Sequence, residues 1–144
     1  MTNAIAAMCP KILVKILARR SKRNHMDITP LVKPELKLIQ SYGAGFFRVN
    51  GVVFTASIFV TGETVSDYQM DELVSSLESH VQALQEQITG QVDVLLIGTG
   101  ATGRMMPPKQ RAALSSQAGC VIEVMDTPSA CRTYNVLTAE GRRV

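Results

Sequence analysis

The residues with the clearest chemical potential are three glycines behind an apolar run. Gly98, Gly100 and Gly103 fit the G-x-G-x-x-G spacing, and residues 92–97 before them have the pattern of a buried strand. In dinucleotide-binding proteins such glycines let the backbone approach a pyrophosphate, which the amides of the following helix then bind. Asp126 ends the next predicted strand, where such proteins place an acid for the ribose. The pattern predicts either a binding edge or a tight turn.

The residues after Gly103 weigh against a dinucleotide site. Residues 104–108, Arg-Met-Met-Pro-Pro, separate this glycine from the next predicted helix, residues 109–118. The helix therefore starts late, and proline has no amide hydrogen to donate. A looser alternative stays open, a small-ligand or nucleotide module in which the amides of loop 98–103 and the Arg104 guanidinium hold an anion. A structural turn is the simpler interpretation.

Other catalytic patterns are missing from the sequence, which has no G-x-S-x-G elbow, no Walker loop and no H-E-x-x-H motif. His80 has no second ligand at helical spacing, so we expect a solvated side chain on a polar helix face. Glu123 and Asp126 could form an acid–base pair, but Asp126 is better explained as a helix cap. Glu123 then needs a cationic partner, such as Arg132 or Arg142. We predict no enzyme, no cofactor and no metal.

Composition and charge indicate an ordinary globular domain with one basic end. Of the 144 residues, 46% are hydrophobic and 19% are charged, and no apolar run reaches the roughly 20 residues that span a bilayer. Residues 1–26 contain basic but no acidic side chains, so the remainder is mildly acidic despite a net charge of +3. Such a body lacks the clustered Lys and Arg that bind nucleic acid. We expect a soluble protein without a nucleic-acid partner.

The cysteines point to a reducing compartment. There are 3 of them, far apart and without a C-x-x-C pair, which argues against disulfides and zinc. Cys120 begins an apolar run, and we expect it to be a small buried hydrophobe, although a reactive thiol is the functional alternative.

Residues 1–25 form a basic leader with several interpretations. Its apolar residues recur at helical spacing among basic ones, which predicts a short amphipathic helix: Ile12, Leu13, Ile16 and Leu17. Such a helix could be a mitochondrial presequence or could lie on an anionic membrane surface. Alternatively the leader is a flexible tail, or Met26 is the true start. We expect a leader over residues 1–25 and one domain over residues 26–144.

The domain itself predicts an antiparallel β unit followed by alternating helices and strands. The β unit has strands over residues 36–42, 46–49 and 52–60, with Asn50-Gly51 as a type I′ hairpin turn. Helical periodicity over residues 70–88 precedes the buried strand 92–97. Helix 109–118, strand 120–125 and helix 129–140 follow, the last capped by Asp126. Because the near-continuous apolar strand 92–97 is typical of a sheet that helices cover on both faces, we expect the fold class to be α/β.

From Met26 onward the chain resembles a known family in several segments: residues 28–30, 39–43, 47–49, 96–100 and above all 124–142. On these segments it is similar to the Mth-type domain family of small α/β proteins, which includes a mitochondrial assembly factor for respiratory complex I and uncharacterised bacterial members. The resemblance implies a three-layer fold, in which a mixed central sheet has helices on its faces and an N-terminal antiparallel β unit. It assigns no catalytic residues.

The resemblance implies a non-enzymatic assembly or scaffold protein, with protein partners such as respiratory-chain subunits or assembly factors. The expected partner surface joins the glycine loop to exposed parts of the last helix: Gly98, Thr99, Gly100, Gly103, Arg104, Arg132, Tyr134 and Asn135. For Tyr134 a second interpretation is open, in which the ring packs on the sheet and the hydroxyl bonds one partner. We expect a bacterial cytoplasmic location, or the mitochondrial matrix if the leader is a presequence.

Overall fold

The described residues form two β-sheets and a set of helices. The computed structural model describes residues 35–68 and 77–144 and the backbone of residues 12–14. The strands are β1 (Ile12–Val14), β2 (Ile39–Gly43), β3 (Phe46–Val49), β4 (Val52–Phe54), β5 (Ile58–Val60), β6 (Val65–Asp67), β7 (Val94–Gly98) and β8 (Val121–Met125). The helices are α1 (Leu77–Ala83), α2 (Gln85–Ile88), α3 (Pro108–Ala118) and α4 (Thr127–Ala139).

The main sheet has the order β6-β5-β1-β7-β8 and is mixed, as predicted. Strand β7 runs parallel to β8 and antiparallel to β1. Leu96 of β7 packs into a core with α4, whereas Leu95 and Ile97 pack into a second core with α1, α2 and α3. Since side chains alternate along a strand, this apolar segment is covered on both faces. The three-layer α/β fold is therefore confirmed.

The small sheet (β2, β3 and β4) is the predicted antiparallel β unit. Asn50 and Gly51 have φ angles of 46° and 83°, which a type I′ turn requires. The predicted strand 52–60 is wrong as one strand, because β4 ends at Phe54 and β5 pairs in the main sheet. The physical reason is burial, since the β5 side chains are all buried while Val52 and Val53 stay exposed.

Strand β1 corrects the expectation for part of the leader. Ile12–Val14 pairs with β5 on one side and with β7 on the other, so these residues are neither a helix nor a flexible tail. Three consecutive apolar residues, two of them β-branched, suit a strand between two neighbours. The rest of residues 1–34 lies outside the described residues, and the boundary at Met26 stays a prediction.

The predicted helix 70–88 is divided. Its first part, residues 70–76, falls outside the described residues, and the remainder is interrupted at Leu84 between α1 and α2. His80 of α1 is only 6% exposed, so the expectation of a solvated side chain is wrong. Its Nδ1 lies 3.1 Å from the hydroxyl oxygen of Tyr68, and the two rings meet edge to face. A polar partner inside the fold thus explains the burial.

The two later helices have the predicted ends. Gly119 closes α3 in the left-handed conformation with φ 70°. At the start of α4, an Asp126 carboxylate oxygen accepts the amide of Ser129 at 2.7 Å, and the other accepts the Ser129 hydroxyl at 2.9 Å. Asp126 is therefore the N-cap of α4, as predicted.

Acid is expected to weaken the fold through this cap. The Ser129 amide and hydroxyl hold the pKa of Asp126 below its usual value, so the carboxylate favours the folded state at neutral pH. That contribution is lost progressively from about pH 5 down through the depressed folded-state pKa. Asparagine caps helices without titrating, so Asp126→Asn should lose less stability between pH 7 and pH 3 than wild type. Urea midpoints at both pH values measure this, and equal losses would contradict it.

Candidate functional site

The glycine loop, residues 98–103, is tied at its base to β8 and α4. Thr99 donates its amide to the Met125 carbonyl at 2.9 Å and its hydroxyl to the same oxygen at 3.1 Å. Gly100 donates its amide to Thr127 Oγ1 at 3.0 Å, and the Thr127 amide returns a bond to the Gly100 carbonyl at 2.8 Å. The Arg104 amide donates to Thr99 Oγ1 at 2.9 Å. Two threonines therefore hold both ends of the loop.

These bonds reduce the number of loop amides that the anion-binding alternative could use. The amides of Thr99, Gly100 and Arg104 all donate to protein oxygens, so they are not available to a phosphate. The next helix begins at Pro108 behind Pro107, well after the last glycine. A Cβ on Gly103 would lie 3.4 Å from the Asp126 nitrogen, which is at the short limit of an ordinary van der Waals contact. Gly103 thus lies against the β8–α4 junction, and this position favours the interpretation of the G-x-G-x-x-G match as a structural turn.

Beyond its base the loop is open to solvent. Residues 101–105, the loop tip, are all exposed, and Met105 is 97% exposed. Met106 next to it turns inward against the core formed with α1, α2 and α3. The sequence analysis does not predict that Met105 is exposed. A signal for it exists, because Met105 and Met106 lie between a glycine loop and two prolines, where no helix or strand is expected to bury both side chains. The tip therefore presents Arg104 and Met105 together.

The α4 residues of the expected partner surface have structural roles. Tyr134 is fully buried, and its hydroxyl donates to the Lys37 carbonyl, so its assignment to an exposed surface is wrong and its second interpretation is confirmed. Burial raises the pKa of the Tyr134 hydroxyl. Asn135 accepts the Ile39 amide at 2.9 Å and donates to the Ile39 carbonyl at 2.7 Å. Both side chains attach α4 to β2 and to the segment before it.

Only part of the expected surface is accessible. Gly98, Thr99 and Gly100 are buried, while Gly103, Arg104 and Arg132 are exposed. Arg132 is joined to the loop through a short chain of contacts: it donates to Ser129 Oγ at 3.2 Å, Ser129 bonds Asp126, and Asp126 lies against Gly103. Arg132 also donates to the Tyr42 hydroxyl at 3.1 Å. The predicted surface is reduced to the loop tip and this arginine.

The other titratable groups that the structure describes form pairs or stay separate, and they do not assemble into a reactive cluster. Glu123 pairs with Arg111 at 2.8 Å, and not with Arg132 or Arg142 as expected. Burial raises the pKa of Cys120 to about 11, so its thiol stays protonated at neutral pH and is a poor nucleophile. Within residues 35–68 and 77–144 no group of three or more His, Cys, Asp and Glu could hold a metal ion. None of the helices described there is long and apolar enough to cross a membrane.

Comparisons with known proteins agree with this fold. Residues 39–144 match the model of a family described as a protein of unknown function, DUF498/DUF598. An uncharacterised protein of Rhodobacter capsulatus is 36% identical over 106 residues, which cover 74% of this chain and 78% of that protein. The NADH dehydrogenase (ubiquinone) 1 alpha subcomplex assembly factor 3 of Bos taurus is 29% identical over 122 residues, covering 84% of this chain and 65% of that protein.

A solved structure supports the same grouping. The solution structure of a Bordetella pertussis protein, described as a Mth938-like domain, has a TM-score of 0.60 and is 29% identical in sequence. The matched region covers 85% of this chain and 89% of the Bordetella pertussis chain. The likeness therefore extends over most of both molecules.

Proposed function

The chain belongs to the DUF498/DUF598 family of Mth-type domains, and from this we propose that it is a non-enzymatic assembly factor that binds another protein through its loop tip. The name of the Bos taurus relative, an assembly factor of NADH dehydrogenase, supports this relationship. The proposed partners are subunits or assembly intermediates of respiratory complex I. The proposed location is the bacterial cytoplasm, and the relative in Rhodobacter capsulatus supports the bacterial part of this proposal.

The observation that carries the proposal is an exposed tip on an anchored base. Met105 is 97% exposed while the loop below it is fixed by Thr99 and Thr127. A loop that is already ordered loses little conformational entropy when it binds. Methionine and arginine are both enriched in protein interfaces. The tip thus combines a preorganised backbone with the side chains that interfaces use.

Charge indicates the character of the partner. Between Val94 and Ile122 the sequence has no acidic residue, while it has basic ones at Arg104, Lys109 and Arg111. Arg111 is paired with Glu123, whereas Arg104 and Lys109 are exposed and form no ion pair with the residues that the structure describes. A partner surface with carboxylates around an apolar centre would complement this region and would be steered toward it.

We expect the variant Arg104→Glu/Met105→Asp to lose the partner without losing the fold. Reversing the charge and making the apolar tip anionic should reduce recovery of complex I proteins at least about tenfold, since this corresponds to only about 1.4 kcal/mol of binding free energy. The measurement is affinity capture with the tagged full chain from solubilised native membranes and from cytosol, with complex I subunits quantified by mass spectrometry.

The matched control is Val136→Asp. Val136 is 56% exposed on α4, so its replacement also introduces a carboxylate at an exposed apolar position. This control should capture complex I proteins as wild type does, and both variants should keep the wild-type urea midpoint within error. Equal capture by the loop variant, or capture of no complex I protein by wild type, would overturn the proposal.

A further inference from the structure

The edges of the two sheets differ in how they are protected. Edge strands of natural proteins are usually covered or carry charges that prevent pairing with another chain. In the main sheet, β8 has Glu123 at its centre and β6 ends in Asp67. In the small sheet, Asn135 of α4 satisfies the backbone of Ile39 in β2. Three of the four sheet edges in the described part of the chain therefore carry one of these devices.

Strand β4, the fourth edge, has none of these devices. Its sequence is Val-Val-Phe, and Val52 and Val53 are 57% and 49% exposed. Among the described residues it pairs with β3 alone. An uncharged, exposed edge is a template on which a further strand can add.

The hairpin register defines which backbone groups of β4 point outward. Val49 and Val52 flank the two-residue Asn50-Gly51 turn and face each other, which makes them a hydrogen-bonded pair. Hydrogen-bonded and non-hydrogen-bonded pairs alternate, so the next pair, Arg48 and Val53, is of the second kind. The amide and carbonyl of Val53 therefore point away from β3, toward the space where another strand would lie.

The charge beside this edge indicates the chemistry of the added strand. Arg48 lies directly opposite Val53 on the outer face and is exposed, and opposed side chains of this kind approach to about 5 Å between Cβ atoms. The sequence from Leu36 to Gly62 contains no acidic residue that could neutralise it locally. A carboxylate on the neighbouring strand, next to Val53, would be within reach of the long Arg48 side chain.

We propose that β4 binds an extended segment of a partner protein by strand addition, and that this segment is apolar with a carboxylate beside Val53. The contact combines the outward hydrogen-bonding pair of Val53 with an ionic contact to Arg48. This surface is on the small sheet, whereas the loop tip follows β7 of the main sheet, so the two proposals concern different residues. Failure of one proposal leaves the other standing.

The test is a titration of the ¹⁵N-labelled full chain with a synthetic seven-residue peptide, Thr-Val-Glu-Val-Glu-Val-Thr, blocked at both ends. The amide of Val53 should shift and become protected from hydrogen exchange. A peptide with lysine in place of glutamate should bind at least about tenfold more weakly, and Arg48→Glu should reverse this preference because the position is exposed and its charge is inverted.

A second variant removes the donor itself. Val53→Pro deletes the outward amide without deleting a bond to β3, since proline is tolerated at such edge positions, and it should abolish binding, whereas Val53→Thr should retain it. If proline disturbs the hairpin, the charge-reversal result still decides the matter. Equal binding of both peptides, or shifts confined to other residues, would overturn the proposal. Concentration-dependent shifts of Val53 without peptide would replace it with pairing of two copies of this chain.

Discussion

Replacing Tyr134 by alanine is expected to lower the free energy of unfolding by about 3–5 kcal/mol. The ring is fully buried among residues from both sheets, including Phe47 of the small sheet and Leu96 of the main sheet. Removing it leaves a cavity at the point where the two sheets meet α4, and a rigid core does not collapse around such a cavity. Urea unfolding followed by circular dichroism measures the loss.

The phenylalanine variant separates packing from hydrogen bonding at the same position. Tyr134→Phe keeps the ring but leaves the Lys37 carbonyl without its donor, which should cost about 1–2 kcal/mol. Alanine should therefore be clearly worse than phenylalanine. If the two variants were equally destabilised, the hydroxyl rather than the ring would hold the segment before β2.

The sequence was most informative where local chemistry decides the structure. The Asn50-Gly51 turn, the Asp126 cap and the left-handed Gly119 are each specified by a few neighbouring residues, and all are present. The apolar run that became β7 was also long enough to predict burial on both faces. Such features need no knowledge of which distant segments will meet.

The errors arose where tertiary contacts decide. Nothing near Phe54 indicates that the chain passes from the small sheet to the main sheet there, because the reason is the burial available to β5. His80 is polar on a predicted surface face, yet Tyr68, 12 residues away, provides a partner inside the fold. Ile12 and Leu13 fit a helical period, but in the structure they form a strand between β5 and β7. These two neighbours cannot be identified from the local sequence.

The sequence predicts where the candidate site lies but not which residues it exposes. The glycine spacing identified a loop at the carboxyl end of β7. Whether its amides face a ligand depends on Thr127, 27 residues from Gly100, whose side chain receives one of them. Spacing cannot show such a contact, and it also could not show that Met105 projects. The proposed binding surface is therefore the exposed loop tip and not the buried residues Gly98 and Gly100 at its base.

The segment with the strongest family resemblance holds the fold together. Asp126 caps α4, Thr127 anchors the loop, and Tyr134 and Asn135 attach the small sheet. Resemblance over residues 124–142 therefore reports on the architecture that positions the loop tip and the β4 edge. The loop tip and the β4 edge lie outside residues 124–142. This explains why the segment that identifies the family also led to the prediction of a buried residue, Tyr134, as part of the partner surface.

The second large effect is expected at Asn135, whose side chain forms both a donor and an acceptor bond with Ile39. Asn135→Leu leaves the backbone amide and carbonyl of Ile39 without partners at the edge of β2. Ile39 is only 4% exposed, so water cannot readily replace the lost bonds. Each orphaned group costs about 1–3 kcal/mol, so we expect a loss of about 2–4 kcal/mol in the free energy of unfolding. The exposed neighbour offers a control, since Val136→Ala should change stability by less than about 0.5 kcal/mol.

Hydrogen exchange shows whether the loss is local to the small sheet. The Ile39 amide should exchange faster in Asn135→Leu than the lower free energy of unfolding alone would require. The amides of β7 should lose only the protection that this lower free energy accounts for. Because Tyr134 and Asn135 hold adjacent parts of one segment, Lys37 and Ile39, the double variant Tyr134→Phe/Asn135→Leu should deviate from additivity by more than about 0.5 kcal/mol. Additive losses with an unchanged Ile39 amide would mean that the small sheet is held by its apolar core alone, and that the polar contacts of α4 are incidental to its attachment.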